Sequence, residues 1–185
     1  MKKFVTLLVV LALVCTSVFA STFQIGGTAR FGGDFTDIET YKEFSNYDFG
    51  LDTRLNLGLF GIAANVLFGK NNEHLVLNPI VTANLHIDFK VVELAFGLGY
   101  ALPVEFGDDG VIIDGKPASE LWDVLQNSQL LTRASALVNI GRVGVGLDYT
   151  IPLSTIIDYA KGEDLKNMSS FKQGKFAVSV LVNLV

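Results

Sequence analysis

The stretch VELAFGLGYAL, at residues 92–102, shows the pattern that recurs along this chain. A large apolar residue stands at every second position, and glutamate, alanine or glycine stands between. Successive side chains of a β-strand point to opposite faces, so this alternation predicts a strand with one apolar face. The stretch also reaches the length of about 9–11 residues that a tilted strand needs to cross a bilayer.

The same alternation recurs in seven further segments and is the strongest signal after residue 21. In the seventh segment, for example, Val145 and Leu147 flank Gly146. The eight segments span residues 23–35, 47–59, 62–68, 75–89, 92–102, 134–140, 143–151 and 176–184. Eight half-apolar strands in a chain without other regular patterning indicate an all-β protein.

The connections between the segments alternate strictly between short and long. Tight turns are expected near Phe60-Gly61, Phe89-Lys90 and Gly141-Arg142. Longer polar loops cover residues 36–45, 70–74, 107–129 and 154–170. Outer-membrane barrels show this asymmetry, with short periplasmic turns and long external loops. The sequence therefore predicts an eight-stranded antiparallel up-and-down transmembrane β-barrel with both termini on the periplasmic side.

The N-terminus has the features of a signal peptide. Lys2 and Lys3 precede an apolar run, and Val18-Phe19-Ala20 suits a signal peptidase. We expect cleavage after Ala20, which leaves residues 21–185 as the barrel in the outer membrane. A short membrane anchor and a lipoprotein modified at Cys15 are the alternatives, although Val14 is larger than a lipobox prefers.

The composition agrees with a membrane barrel. Of the 185 residues, 50% are hydrophobic and 18% are charged, which is less charge than the roughly 25% typical of soluble domains. Beyond the N-terminus no apolar run is long enough for a membrane helix. The net charge of −5 argues against nucleic acid as a partner.

The polar face is expected to line the interior of the barrel. It consists mostly of Gly, Ala, Asn and Ser, and small residues suit the crowded lumen of eight strands. Aromatic residues would then form two interfacial rims. The lower rim would hold Phe23, Phe60 and Phe89, and the upper rim Phe35, Tyr47, Phe68, Phe106, Tyr149 and Phe171. A secreted barrel with its apolar face inside remains the alternative.

The signal peptide, the eight segments and the alternating loops together look like the small outer-membrane barrels of the OmpA transmembrane domain, OmpX and OmpW kind. The resemblance covers residues 21–185 and rests on pattern rather than on a diagnostic motif. It implies outer-membrane lipid as the surroundings. We expect a monomer, with an external partner or a small solute as a further contact.

Charged residues on the inward face need partners, because an unpaired buried charge is costly. We expect an internal salt-bridge belt; the alternative is that some of these side chains extend to water. The belt would contain Arg30, Asp52, Arg54, Arg133 and Asp148.

The tight turns suggest which residues face each other across neighbouring strands. A two-residue turn at Phe89-Lys90 would set His86 directly opposite Glu93. A turn centred at Ile140-Gly141 would set Arg133 opposite Asp148, and a one-step shift would leave these two as diagonal neighbours. Arg133, Asp148, His86 and Glu93 are therefore expected in the lumen charge network.

No catalytic, cofactor or metal site is predicted. His74 beside Glu73 in an external loop is a weak dyad without a serine partner. Asp108-Asp109-Gly110 and Asp114-Gly115 lack a complete calcium-loop spacing and are interpreted as solvated turns. Short helices are expected at 117–125 and 155–161.

The sequence favours a non-enzymatic structural or surface-interaction barrel that presents its external loops. The alternative is a narrow channel for small or hydrophobic solutes, as the OmpW resemblance implies. How far side chains fill the lumen distinguishes the two: paired charges favour the structural role, and a continuous cavity favours transport.

Overall fold

The computed structural model describes residues 21–34, 37–71, 74–107, 110–113, 116–117, 129–160 and 174–184. Two 3-10 helices, Ile38–Lys42 and Phe44–Asn46, precede β2, and the helix α1 (Leu153–Ala160) follows β10. The strands of this described part are β1 (Ser21–Phe31), β2 (Tyr47–Leu57), β3 (Phe60–Asn71), β4 (His74–Asp88), β5 (Val92–Ala101), β6 (Val104–Gly107), β7 (Gly110–Ile113), β8 (Lys116–Pro117), β9 (Gln129–Ile140), β10 (Val143–Pro152) and β11 (Lys175–Asn183).

Eight of these strands form a closed antiparallel barrel. Their order is β3-β2-β1-β11-β10-β9-β5-β4, and β3 pairs with β4 to close the ring. Each barrel strand therefore pairs with the next barrel strand along the chain, and the first pairs with the last. The predicted eight-stranded up-and-down barrel is confirmed. Closure leaves no free strand edge in the wall.

The outer wall is apolar and the interior is largely polar. Leu98 is 56% exposed and Leu147 is 52% exposed on the outside. The side chains buried inside include Gln24, Thr28, Thr82 and Ser179. The alternative of an apolar-inside barrel is therefore wrong. In the described residues, no helix is long and apolar enough to span a membrane.

The first tight turn lies close to its predicted position but not at it. Leu57 pairs with Phe60, so the first turn consists of Gly58-Leu59 and lies two residues before the predicted Phe60-Gly61. Gly58 adopts φ 64°, a conformation that favours glycine. Apolar residues continue through this turn, so the sequence pattern does not show where the strand ends.

Of the other two turns, one lies at its predicted position and one does not. Ile140 pairs with Val143, which confirms the turn at Gly141-Arg142. Asp88 pairs with Glu93, so the predicted two-residue turn at Phe89-Lys90 is wrong. The chain instead reverses over residues 89–92, where the Phe89 amide donates to the Val92 carbonyl at 2.9 Å.

A β-hairpin extends the sheet beyond the barrel where a polar loop, 107–129, was expected. β5 pairs with residues 80–88 of β4, and β6 pairs with residues 75–77 of the same strand. The register is the same in both pairings, so β6 continues the ladder that β5 begins. β7 then pairs with β6, and β8 with β7. Pro117, expected to begin a helix at 117–125, ends β8, and residues 118–125 lie outside the described ranges.

The helix expected at 155–161 is present as α1 and begins two residues earlier. It contacts β9 and β10. Ile151, expected on the exposed apolar face, is only 4% exposed, and Thr155 is 8% exposed. The chain therefore covers part of its own outer wall at the rim opposite the tight turns.

Candidate functional site

Four charged side chains meet in the barrel interior, and we call them the four-charge cluster: Asp52, Arg54, Arg133 and Asp148. Arg54 Nη2 donates to Asp52 Oδ2 at 2.6 Å and to Asp148 Oδ2 at 2.8 Å. Arg133 Nη2 lies 3.2 Å from Asp52 Oδ2 and 3.0 Å from Asp148 Oδ1. Each arginine therefore contacts both carboxylates.

The sheet geometry explains why these four residues converge. Asp52 and Arg54 are two positions apart on β2, so both point inward. Arg133 pairs with Thr150 on β10, and Asp148 pairs with Ser135 on β9. Arg133 and Asp148 are therefore diagonal neighbours and not directly opposite, which corrects the register expected from a turn at Ile140-Gly141.

Neutral polar groups complete the coordination of the cluster. Ser179 Oγ lies 3.0 Å from Asp52 Oδ2 and 3.2 Å from Asp148 Oδ2. Arg133 Nη1 donates to Asn65 Oδ1 at 2.6 Å, and the Ser135 hydroxyl donates to Asp148. Buried charges are tolerated when they are paired and further hydrogen-bonded in this way.

The four-charge cluster is buried and electrically balanced. Side-chain exposure is 0% for Asp52, 7% for Arg54, and 2% for both Arg133 and Asp148. Two positive and two negative groups leave no net charge, so the lumen at this height neither attracts nor repels ions strongly. Side chains fill the lumen at this height.

Arg30, expected in the same belt, lies outside the four-charge cluster. Its Nε donates to Asp48 Oδ2 at 2.9 Å, and its Nη2 lies 2.5 Å from the same atom. Arg30 and Asp48 are direct partners in the β1–β2 ladder. The long connection between those strands does not reveal this register from the sequence.

A second group of polar side chains surrounds Glu93, and we call it the Glu93 cluster: Gln24, Asn56, His86, Glu93 and Asn139. Gln24 Nε2 donates to Glu93 Oε1 at 3.0 Å, and His86 Nε2 lies 3.1 Å from Glu93 Oε2. Asn56 Nδ2 donates to Oε2 at 3.3 Å, and Asn139 donates to Oε1. One carboxylate thus joins five strands.

His86 and Glu93 meet diagonally, because His86 pairs with Ala95 in the ladder. The expectation that they stand directly opposite is therefore wrong. His86 Nδ1 lies 3.0 Å from the Gly58 carbonyl, which can only accept, so Nδ1 carries a proton. This bond ties β4 to the turn between β2 and β3.

Little space separates the two clusters. A cavity of about 10 Å³ lies between Arg54, Asn56, His86 and Glu93. That is about the volume of a single water probe. On the other side of the four-charge cluster, a buried apolar layer adds to the filling: Leu67, Ile80, Ala101 and Leu131.

Several members of these clusters were not singled out from the sequence, namely Gln24, Asn56, Asn65, Asn139 and Ser179. The alternation places each of them on the inward face, so their burial follows from the pattern. Their partners depend on strand pairing across the lumen, for which the sequence carries no local signal.

Most of the residues considered for catalysis or metal binding lie outside the described ranges. His74 begins β4, while Glu73, Asp108, Asp109 and Asp114 lie outside the described ranges. In the part of the chain that the structure describes, no group of three or more His, Cys, Asp or Glu side chains is arranged to hold a metal ion.

No protein-family model matches the sequence. No curated protein sequence matches it. A similar solved structure is the crystal structure of Neisserial surface protein A (NspA), with a TM-score of 0.41 and 11% sequence identity. The similarity covers 89% of this chain and 97% of that chain.

Proposed function

We propose that this chain is a small, non-enzymatic outer-membrane barrel protein with a closed lumen. Its role is structural and surface-interacting: it anchors external loops in the membrane. The observation that carries the proposal is the four-charge cluster, which closes the lumen of a barrel whose outer wall is apolar. Export through a signal peptide removed after Ala20, and a monomeric state, belong to the same proposal.

The outer wall supports insertion in lipid. Leu51, Ile62, Leu98 and Leu147 all expose more than half of their surface on the outside of the barrel. In water, such a continuous apolar wall would drive association. In a bilayer, lipid tails cover it, while the closed strand ladder satisfies every backbone group inside the wall.

The filled lumen supports a structural role over transport. A solute crossing the barrel would have to separate Arg54 and Arg133 from two carboxylates. It would also have to pass the Glu93 cluster and the apolar layer of Leu67, Ile80, Ala101 and Leu131. A buried charge that loses its partner destabilises the protein by about 3–5 kcal/mol, so separation of these pairs disfavours rapid passage of a solute.

The upper end of the barrel supports a surface role. The β6–β7 hairpin continues the wall beyond the neighbouring end of β9. The two 3-10 helices stand on the same side, with Ile38 74% and Phe44 76% exposed. These segments offer strongly exposed apolar side chains at the rim away from the tight turns.

Fractionation of cells that express the full chain tests the location. We expect the protein in the outer-membrane fraction, with the N-terminus of the mature chain at Ser21. Unheated samples should migrate differently from boiled samples on a denaturing gel, because a closed barrel resists the detergent until it is heated. A soluble protein without this shift would overturn the proposal.

Planar-bilayer recording tests the closed lumen. We expect no steady conductance from the unmodified protein. The double variant Arg54→Ala and Arg133→Ala removes both guanidinium groups and should conduct measurably if it still shows the heat-dependent gel shift. Steady conductance by the unmodified protein would instead favour the narrow channel.

A further inference from the structure

We propose that the upper mouth of the barrel, at the end opposite the tight turns, binds a small hydroxy- or amino-carboxylate with one net negative charge. Two cavities lie there, of about 380 Å³ and about 290 Å³. Both are lined by Arg30, Asn78, Pro103 and Lys175, so they form one site, which we call the mouth site. Neither four-charge-cluster arginine lines it.

Lys175 supplies the main anion-binding group. It is half-buried on β11, where it pairs with Thr150. Its ammonium lies 3.7 Å from the position that a Cβ would occupy on Gly32, so glycine leaves room beside it. In the described part of the chain, no hydrogen bond or ion pair engages this ammonium. An ammonium with three donors and no acceptor is suited to a carboxylate.

Asn78 supplies an independent indication of a polar ligand. Its Oδ1 is buried and has no hydrogen-bond partner in the described structure, yet the residue lines both cavities. Buried polar groups of this kind normally have a partner. A hydroxyl or amino group beside the carboxylate of the ligand would donate to this oxygen.

The charges of the mouth site select the charge of the ligand. Arg30 is neutralised by Asp48 at 2.5 Å. Lys70 and Lys175 then face one further acid, Glu105, which leaves a single positive charge in excess. A monoanion balances this charge, whereas a doubly charged phosphate exceeds it. Glu105 also gives an ammonium or hydroxyl of the ligand an acceptor.

The mouth site is closed below by the lumen itself. Ala101 and Leu131 of the apolar layer line the second cavity, so a ligand stops there instead of passing through. The site therefore captures a solute at the outer rim without transporting it, which makes it separable from the structural role of the barrel.

Titration of the full barrel in detergent micelles at low ionic strength tests this proposal, with D-gluconate as the probe and calorimetry as the readout. We expect saturable 1:1 binding of gluconate, no binding of uncharged D-glucose, and weaker binding of inorganic phosphate. Absence of saturable gluconate binding, or tighter binding of phosphate, would contradict the proposal.

Variants locate the binding. Lys175→Gln should weaken gluconate binding about tenfold, in line with the loss of one charge-assisted hydrogen bond, and Lys175→Arg should retain it. Lys42→Gln is the matched control, because Lys42 pairs with Glu39 on the exposed 3-10 helix and does not line the mouth site. Equal affinity of Lys175→Gln and the unmodified protein would overturn the assignment.

A second variant tests the proposal even if Lys175→Gln does not fold. Glu105→Gln removes the negative charge of the mouth site that is not paired with Arg30 and keeps an acceptor oxygen, so it should tighten gluconate binding, whereas a nonspecific effect of charge would be reproduced by Glu39→Gln. Unchanged affinity in Glu105→Gln would place the ligand elsewhere. The heat-dependent gel shift shows which variants retain the barrel.

Discussion

Arg54 and Asp148 contact each other at 2.8 Å although they lie 94 positions apart in the sequence and on strands that are not neighbours. Their strands, β2 and β10, are separated in the wall by β1 and β11. Backbone ladders join only adjacent strands, so this contact braces the barrel through its interior. The stability of the barrel should therefore depend on lumen side chains as well as on the wall.

Arg133→Ala should destabilise the barrel strongly. The substitution leaves Asp52, Asp148 and Asn65 each without one donor. Removing one partner of a buried ion pair costs about 3–5 kcal/mol. Urea unfolding in micelles, followed by the gel shift, measures the change. Arg142→Ala, at an exposed turn position, is the control and should alter stability little.

A charge-balanced double variant separates electrostatics from packing. In Arg133→Met with Asp148→Asn, one positive and one negative group are lost together, and Arg54 keeps Asp52 as its partner. We expect the double variant to be more stable than Arg133→Met alone, because the single variant leaves two carboxylates sharing Arg54 and the double variant leaves one. Additive losses would show that the charges do not act as a unit.

Gly26→Ala and Gly27→Ala should differ sharply, although the residues are adjacent. A Cβ on Gly26 would overlap the Val180 carbonyl oxygen of the neighbouring strand, while a Cβ on Gly27 meets nothing within 4 Å. Overpacking of this kind costs about 1–3 kcal/mol. Unfolding midpoints in urea compare the two variants, and equal midpoints would contradict the close approach of β1 and β11.

His86→Ala should loosen the end of the barrel that carries the tight turns. It removes the contact with Glu93 and the bond to the Gly58 carbonyl. Loss of a hydrogen bond to a charged group costs about 1.5–3 kcal/mol. Hydrogen exchange at the amides near Gly58 should accelerate, and His74→Ala should leave those amides unchanged.

Lysine substitutions distinguish a lipid-covered wall from a water-exposed one. Leu147→Lys introduces a charge at a wall position that is 52% exposed, and Ile38→Lys does so at a loop position that is 74% exposed. In lipid, the first should cost about 2–4 kcal/mol near the bilayer midplane and the second almost nothing. Similar small effects at both positions in vesicles would argue against a membrane-spanning wall.

The strands of the wall were predictable from the sequence because the alternation within each strand shows which residues face outward and which face inward. Leu94, Phe96 and Leu98 point outward in strict alternation, and this local pattern needs no knowledge of the partner strand. The position of a turn is less evident. At Gly58-Leu59 the apolar residues continue through the reversal, so the pattern gives no sign of where pairing ends.

The contents of the lumen were predictable as residue types but not as a set of contacts. Arg30 and Arg54 both point inward, yet Arg30 meets Asp48 while Arg54 meets Asp52 and Asp148. Which carboxylate each arginine meets depends on strand register and barrel stagger. These are properties of the closed ring, and no single segment of the sequence encodes them.

Closure of the ring also determines the order in which the barrel can be completed. Among the described strands β11 is the last and pairs with the first, and its Ser179 bonds to carboxylates from both β2 and β10. Until that strand arrives, β1 and β10 have open edges and the two aspartates lack a shared hydroxyl donor. A single strand therefore both closes the backbone ladder of the ring and ties together the two aspartates in the lumen, so its loss should open the wall and weaken the four-charge cluster at the same time.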